Sequence, residues 1–151
     1  MRGAITIVLL FFATQAVCSQ EIMTACTGFK GYGHDINSGG NEREFYSDGF
    51  SEKVIILWQT NSAGKIGYAV SEGTGGPKSQ KFDSNPTYLI HSNPTSQTYM
   101  IFIDGSAQSY SETYLFKLDS NSSKNGEVVY TQARNGGSPA IRIMHGVCNS
   151  P

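Results

Sequence analysis

The stretch Lys53–Thr60 reads Lys-Val-Ile-Ile-Leu-Trp-Gln-Thr. Side chains alternate between the two faces of an extended chain, so Val54, Ile56 and Trp58 share one face and Ile55, Leu57 and Gln59 the other. Both faces are largely apolar. A strand of that kind is stable only when it is covered above and below, and the rest of the chain has to supply the cover. Trp58, the single tryptophan, falls near the end of this strand.

The first residues read as a cleaved secretory signal. Arg2 gives a positive start, Ala4–Ala13 is an apolar run, and small residues follow around Ala16-Val17-Cys18-Ser19. The run is too short to span a membrane. Cleavage after Ser19 divides the chain into a signal, 1–19, and one secreted domain, 20–151; an acylated Cys18 is the weaker alternative, because Val17 suits that processing poorly. No second long apolar stretch follows, so no membrane span is expected. The chain carries 11 Lys and Arg against 12 Asp and Glu, with the basic residues scattered, which speaks against nucleic acid as a partner.

Short strand-like segments separated by turn residues fill the remainder. Asn61-Ser62-Ala63-Gly64 is a hairpin turn between Lys53–Thr60 and the alternating run Lys65–Ser71. Further strands are expected at Thr27–Tyr32, Glu42–Ser47, Ser79–Asp83, Thr87–His91, Gln97–Ile103, Thr113–Leu118, Glu127–Gln132 and Ala140–His145. Helical periodicity is missing from the mature chain. The pattern predicts an all-β, antiparallel β-sandwich of about ten strands.

With Cys18 removed, Cys26 and Cys148 remain, and in an oxidising compartment an isolated pair forms a disulfide. Closing so long a loop is worth about 4–5 kcal/mol in the chain-entropy model. On architecture alone, the terminal cysteine pair and the strand count resemble secreted CUB-like sandwiches, with a jelly roll as the other arrangement; no motif residues are shared. If Cys26 precedes the first strand and every strand reverses the last, the loops sort to two ends. Asp48–Glu52, Glu72–Lys78, Ser92–Ser96 and Asp119–Asn125 then accompany the disulfide. Gly33–Asn41, Asn61–Gly64, Ser84–Pro86, Asp104–Glu112 and Arg134–Pro139 lie opposite. Asn121-Ser122-Ser123 is a glycosylation sequon at the disulfide end, and Asn93-Pro94-Thr95 is blocked by its proline.

The end opposite the disulfide therefore gathers His34, Asp35, Asn37, Asn41, Gln108, Tyr110, Arg134 and Asn135 as candidate ligand-binding residues, with Tyr110 available for stacking and Arg134 as a charge anchor. Catalytic and metal signatures fall short. Asp35-x-Asn37-x-Gly39 begins like a calcium loop, but Tyr46 stands where the closing acid belongs. No Gly-x-Ser-x-Gly elbow or His-Glu-x-x-His occurs. Glu42, Glu44, Glu112 and Glu127 are available as carboxylates, with nothing in the sequence to pair them. His145, alternating with Ile143, reads as a partly buried structural histidine, and most tyrosines read as core residues with hydroxyls reaching water. No metal or other cofactor is called for. The expected function is a secreted, non-catalytic module binding an extracellular glycan or protein; the alternatives are a host-defence or cell-surface effector acting by protein–protein interaction, and a small secreted hydrolase.

Overall fold

The computed structural model describes residues 19–35, 44–62, 65–74, 87–105, 110–135 and 139–151. They form nine strands and no helix: β1 (Ser19–Asp35), β2 (Tyr46–Phe50), β3 (Lys53–Ser62), β4 (Lys65–Thr74), β5 (Thr87–Asn93), β6 (Thr98–Gly105), β7 (Tyr110–Asp119), β8 (Ser122–Arg134) and β9 (Ala140–Asn149). The expected strand at Ser79–Asp83, most of the signal segment, and the tips of several loops lie outside the described residues.

All pairings are antiparallel, in the order β4-β3-β1-β9-β8-β7-β6-β5, with β2 added beside β1. β4 curls round to rest against β5 and β6. The result is one continuous, near-barrel sheet rather than a clear two-sheet sandwich. The alternation read from the sequence holds in β6 and β7. β6 buries Tyr99, Ile101 and Ile103 and leaves Met100 and Phe102 half-buried; β7 buries Tyr114, Phe116 and Leu118. These residues join Ile55, Leu57, Phe29, Val128, Tyr130 and Met144 in the interior. The other face of β3 forms a second cluster, in which Val54, Ile56 and Ala25 are buried against Ile22 and Trp58. Lys53–Thr60 is thus covered on both sides, as its composition demands.

β1 is the spine. One of its edges pairs with β9 along most of its length, and the other pairs first with β3 and then with β2. Cys26 and Phe29 both face the interior although three positions apart, which a period of two forbids. A bulge between Thr27 and Lys30, with Gly28 at φ +66°, absorbs the extra residue. Cys26 sits directly across from Cys148, and the two are disulfide-bonded.

Two expectations about loop placement need correction. Cys26 does not precede the first strand; it lies within β1. Asp48–Glu52 does not reverse the chain either. Phe50 pairs with Phe29 and Ile55 with Cys26, so β2 and β3 run the same way along one edge of β1. The Asn61 turn and the exit from β4 therefore change ends, whereas β5 starts at the far end. The Asn61 turn lies by Ser19, at the disulfide end, with Asn93–Thr98 and Asp119–Ser122. The far end holds Asp35, Tyr46, Thr74, Thr87, Gly105, Tyr110, Arg134 and Ala140. Of Glu72–Lys78, the described residues Glu72, Gly73 and Thr74 head towards the far end, not the disulfide end. Trp58 belongs to the disulfide half, half-buried, with Nε1 donating to Ser71 Oγ at 2.7 Å.

Candidate functional site

The inward positions of β7 run Leu118, Phe116, Tyr114 and then Glu112. A carboxylate at the core face of a strand is costly unless it is paired or hydrogen-bonded, and Glu112, 5% exposed, is fully engaged. Its Oε1 accepts from Tyr130 Oη at 2.7 Å and from Gln132 Nε2 at 2.8 Å, and its Oε2 accepts from Tyr114 Oη at 2.7 Å. The donors come from β7 and β8, whose register sets Tyr114 across from Tyr130 and Glu112 across from Gln132.

A second glutamate reaches the same tyrosine from the opposite wall. Glu72, near the end of β4, contacts Tyr114 Oη through Oε1 and holds Lys53 Nζ at 2.7 Å through Oε2. Lys53 also donates to Tyr130 Oη at 3.2 Å and lies over the rings of Tyr130 and Phe50, at 4.3 and 5.0 Å from their centroids. A hydroxyl has one proton to give. Tyr114 can satisfy both carboxyls only if one of them is protonated, donating to Tyr114 while Tyr114 donates to the other. Burial, then the charge of Glu112, raises the Glu72 pKa, with Lys53 opposing, so Glu72 holds a proton to higher pH than an ordinary glutamate. Burial likewise pushes Tyr114 and Tyr130 upward, reinforced by the two glutamates, so both stay neutral. Lys53 thus meets Glu72 directly and Glu112 through the Tyr130 hydroxyl.

The network continues towards the far end. Arg142 Nη1 lies 3.4 Å from Gln132 Oε1, Nε donates to Asp48 Oδ2 at 3.0 Å, and Nη2 is 3.6 Å from Asp35 Oδ1. Tyr46 donates to Asp35 Oδ2 at 2.7 Å, and this hydrogen bond is the main cause of its raised pKa. Burial works to lower the Arg142 pKa, but Asp48, Tyr46 and Asp35 outweigh it and the net shift is upward.

Above Lys53 and Glu72 the surface opens into a cleft of about 580 Å³, lined by Gly49, Phe50, Ser51, Glu52, Lys53, Glu72 and Gly73. It lies where β2 bends into β3 and faces the last turn of β4. Lys53 and Glu72 are 17% and 25% exposed, accessible from the cleft while anchored below it.

Of the residues singled out from the sequence, the structure places His34, Asp35, Tyr110, Arg134 and Asn135 at the far end, where Tyr110 pairs with Arg134 and Asp35 with Ala140. His34 and Asp35 point to opposite faces: His34 packs on Phe45 at 4.9 Å, and Asp35 joins Arg142 and Tyr46. Asn37, Asn41 and Gln108 lie outside the described residues. His145 is not a core residue; it is exposed on the outer face, with Nε2 3.1 Å from Glu127 Oε2. Tyr114 and Tyr130 are interior, as expected, but their hydroxyls meet Glu112. No group of three or more potential metal ligands occurs among the described residues, and no described helix is long and apolar enough to cross a membrane.

Sequence reasoning missed Lys53 and Glu72, the first treated as the edge of a strand and the second as part of a connection. Glu112 was available as an unpaired acid. The usable signal was its parity with Tyr114, Phe116 and Leu118, which puts a charge on a core face and demands partners there. No protein family, curated protein or solved structure matches the chain.

Proposed function

We propose that the chain is a secreted, non-catalytic binding module that takes one or two sugar rings of an extracellular glycan in the cleft between the β2–β3 bend and the end of β4. The observation that carries this reading is the Lys53–Glu72 pair at the cleft floor. An ammonium beside a carboxyl offers donors and acceptors within one small area, which suits the vicinal hydroxyls of a sugar, and the Phe50 ring gives an apolar wall. The volume falls within the usual range for small-ligand sites, roughly 300–1,000 Å³. Hydrolysis is the weaker reading. Both oxygens of Glu112 are already held by Tyr114, Tyr130 and Gln132, so it serves better as a fixed charge than as an acid or base for substrate.

Secretion is supported by the amino-terminal apolar run and by the disulfide. Asn121, exposed in the turn between β7 and β8, is the proposed glycosylation position; a glycan there leaves the far end open. At the finer level of architecture, a sandwich-like flattening of the barrel is supported by Tyr68 of β4 packing on Tyr99 of β6 at 4.6 Å.

A glycan array probed with the wild-type chain and with Lys53→Met tests the function. At least one glycan is expected to bind the wild type and to lose about tenfold or more in affinity with the variant. Array-wide background signal, or equal binding by both proteins, would overturn the reading. Recognition of a protein is the second reading, favoured by the exposed apolar side chains of Leu115, Val129, Ile141, Ile143 and Val147 on the outward face of β7, β8 and β9. A protein partner seated there is released by Ile143→Glu and unaffected by Lys53→Met, which separates the two readings.

A further inference from the structure

The disulfide end of the barrel holds a second concavity, of about 310 Å³, independent of the Lys53–Glu72 cleft. β1 contributes Glu21 and Met23, β3 Gln59, β4 Ile66 and Tyr68, and the turn before β6 Pro94 and Gln97, with Tyr99 and Lys124 completing the lining. Met23, Ile66, Tyr68, Pro94 and Tyr99 make its walls mainly apolar, and the Gln59 and Gln97 side chains are the neutral polar groups among them. Tyr68 and Tyr99 pack at 4.6 Å.

Gln97 marks this place out on separate grounds. Its φ is +51°, the only positive φ at a non-glycine among the described residues. That conformation costs an L-residue about 1–2 kcal/mol, and a glycine would adopt it freely. The backbone alone explains the conformation but not the side chain: Gln97 N–H donates to Pro94 O at 3.4 Å, and its carbonyl accepts from Leu118 N at 2.9 Å, bonds that glycine would keep. What glycine would lose is the amide, which is fixed in place. Nε2 donates to Pro94 O at 2.5 Å, and Oε1 accepts from Tyr99 Oη at 3.1 Å. A strained residue whose side chain is held in one orientation at the lip of a pocket is a pattern associated with ligand sites.

We infer that this pocket is a binding site for a small, neutral aromatic ligand with a hydrogen-bonding edge, of the size and kind of an indole or a phenol. The rings of Tyr68 and Pro94 and the side chains of Met23 and Ile66 supply flat apolar contact, including a polarisable sulfur. The Gln59 and Gln97 amides and the tyrosine hydroxyls supply neutral donors and acceptors. Burial, then the neighbouring Tyr68, pushes Tyr99 up to about 12, so its hydroxyl stays protonated at neutral pH. Charge selects against an acid: the cation at the rim, Lys124, is already paired with Glu21 at 3.2 Å, and an anionic headgroup would have to break that pair.

Indole titrated into the isotopically labelled chain, followed by NMR, tests the inference. Saturable shifts are expected at Met23, Ile66, Tyr68 and Gln97, with affinity reduced about tenfold or more by Gln97→Gly and by Ile66→Lys, which places a charged chain across the mouth. Thermal stability separates ligand recognition from a purely structural role. Gln97→Gly is expected to melt no lower than the wild type, because relief of strain offsets the lost amide contacts. Lys53→Met, at the far cleft, is expected to bind indole unchanged. The inference fails if indole produces no saturable shifts, if Gln97→Gly binds as well as the wild type or melts well below it, or if hexanoate binds more tightly than indole.

Discussion

At the scale of single residues, the interior is organised around one shared hydroxyl, that of Tyr114. Glu72, Tyr114 and Glu112 form a line of oxygens in which a single hydroxyl lies between two carboxyls. Burial, then the charge of Glu112, raises the Glu72 pKa above the ordinary 4.5. A carboxyl whose pKa is raised on folding stabilises the fold fully below its unfolded value, and that contribution is lost as pH rises through the folded value. Urea denaturation midpoints are therefore expected to fall as pH climbs from about 4.5 towards the raised value, and Glu72→Gln should flatten this slope. An unchanged slope in the variant would show that the proton resides elsewhere. The sequence showed little of this. Glu112 shares the parity of Tyr114 and so could be placed on the core face, but its partners Gln132 and Tyr130 depend on register, and Glu72 depends on curvature that brings β4 opposite β7. Neither is encoded in local pattern.

At the scale of elements, period-two alternation carried nearly all of the information available. Val54–Leu57, Tyr99–Ile103 and Tyr114–Leu118 take the faces their spacing assigns, because burying an apolar side chain contributes about 1.5–3 kcal/mol each and a one-residue slip reverses them all. Irregular points were not legible in the same way. Asp48-Gly49 looks like a reversal, yet Gly49 pairs with Lys30 as the chain continues along β1. Turn residues signal a break in regular structure without giving the direction of exit. The bulge at Gly28 is similar: only the interior placement of both Cys26 and Phe29 requires it. Gly126 is a sharper case. Its φ is +155°, and a Cβ there would stand 2.2 Å from Lys117 O and 2.7 Å from Leu118 Cα, both backbone atoms unable to give way. Gly126→Ala is expected to cost about 2–3 kcal/mol or more in urea unfolding; a loss below about 0.5 kcal/mol would contradict the close β7–β8 approach.

At the scale of the whole molecule, a single sheet wraps until β4 meets β5 and β6, and the disulfide ties β1 to β9 beside the sheet's centre. Cys26 and Cys148 are 122 residues apart in sequence, so reduction should lower unfolding free energy by about 4–5 kcal/mol in the chain-entropy model, measured by urea titration with and without reductant. A loss under about 1 kcal/mol would contradict that value and point to residual structure in the reduced, unfolded chain. The long-range pairing also sets what each end presents. The far end gathers the Lys53–Glu72–Glu112 network and the Arg142 cluster with Asp35 and Asp48, while the disulfide end presents the pocket beside Gln97. The central claim is that the cleft over Lys53 and Glu72 receives a sugar. Its most direct test is an amide NMR titration of the chain with glucose, galactose, mannose and N-acetylglucosamine in turn. At least one sugar should shift Gly49–Lys53 together with Glu72 and Gly73 in a saturable way. Shifts confined to the Ile141–Val147 outer face, or none with any sugar, would contradict it.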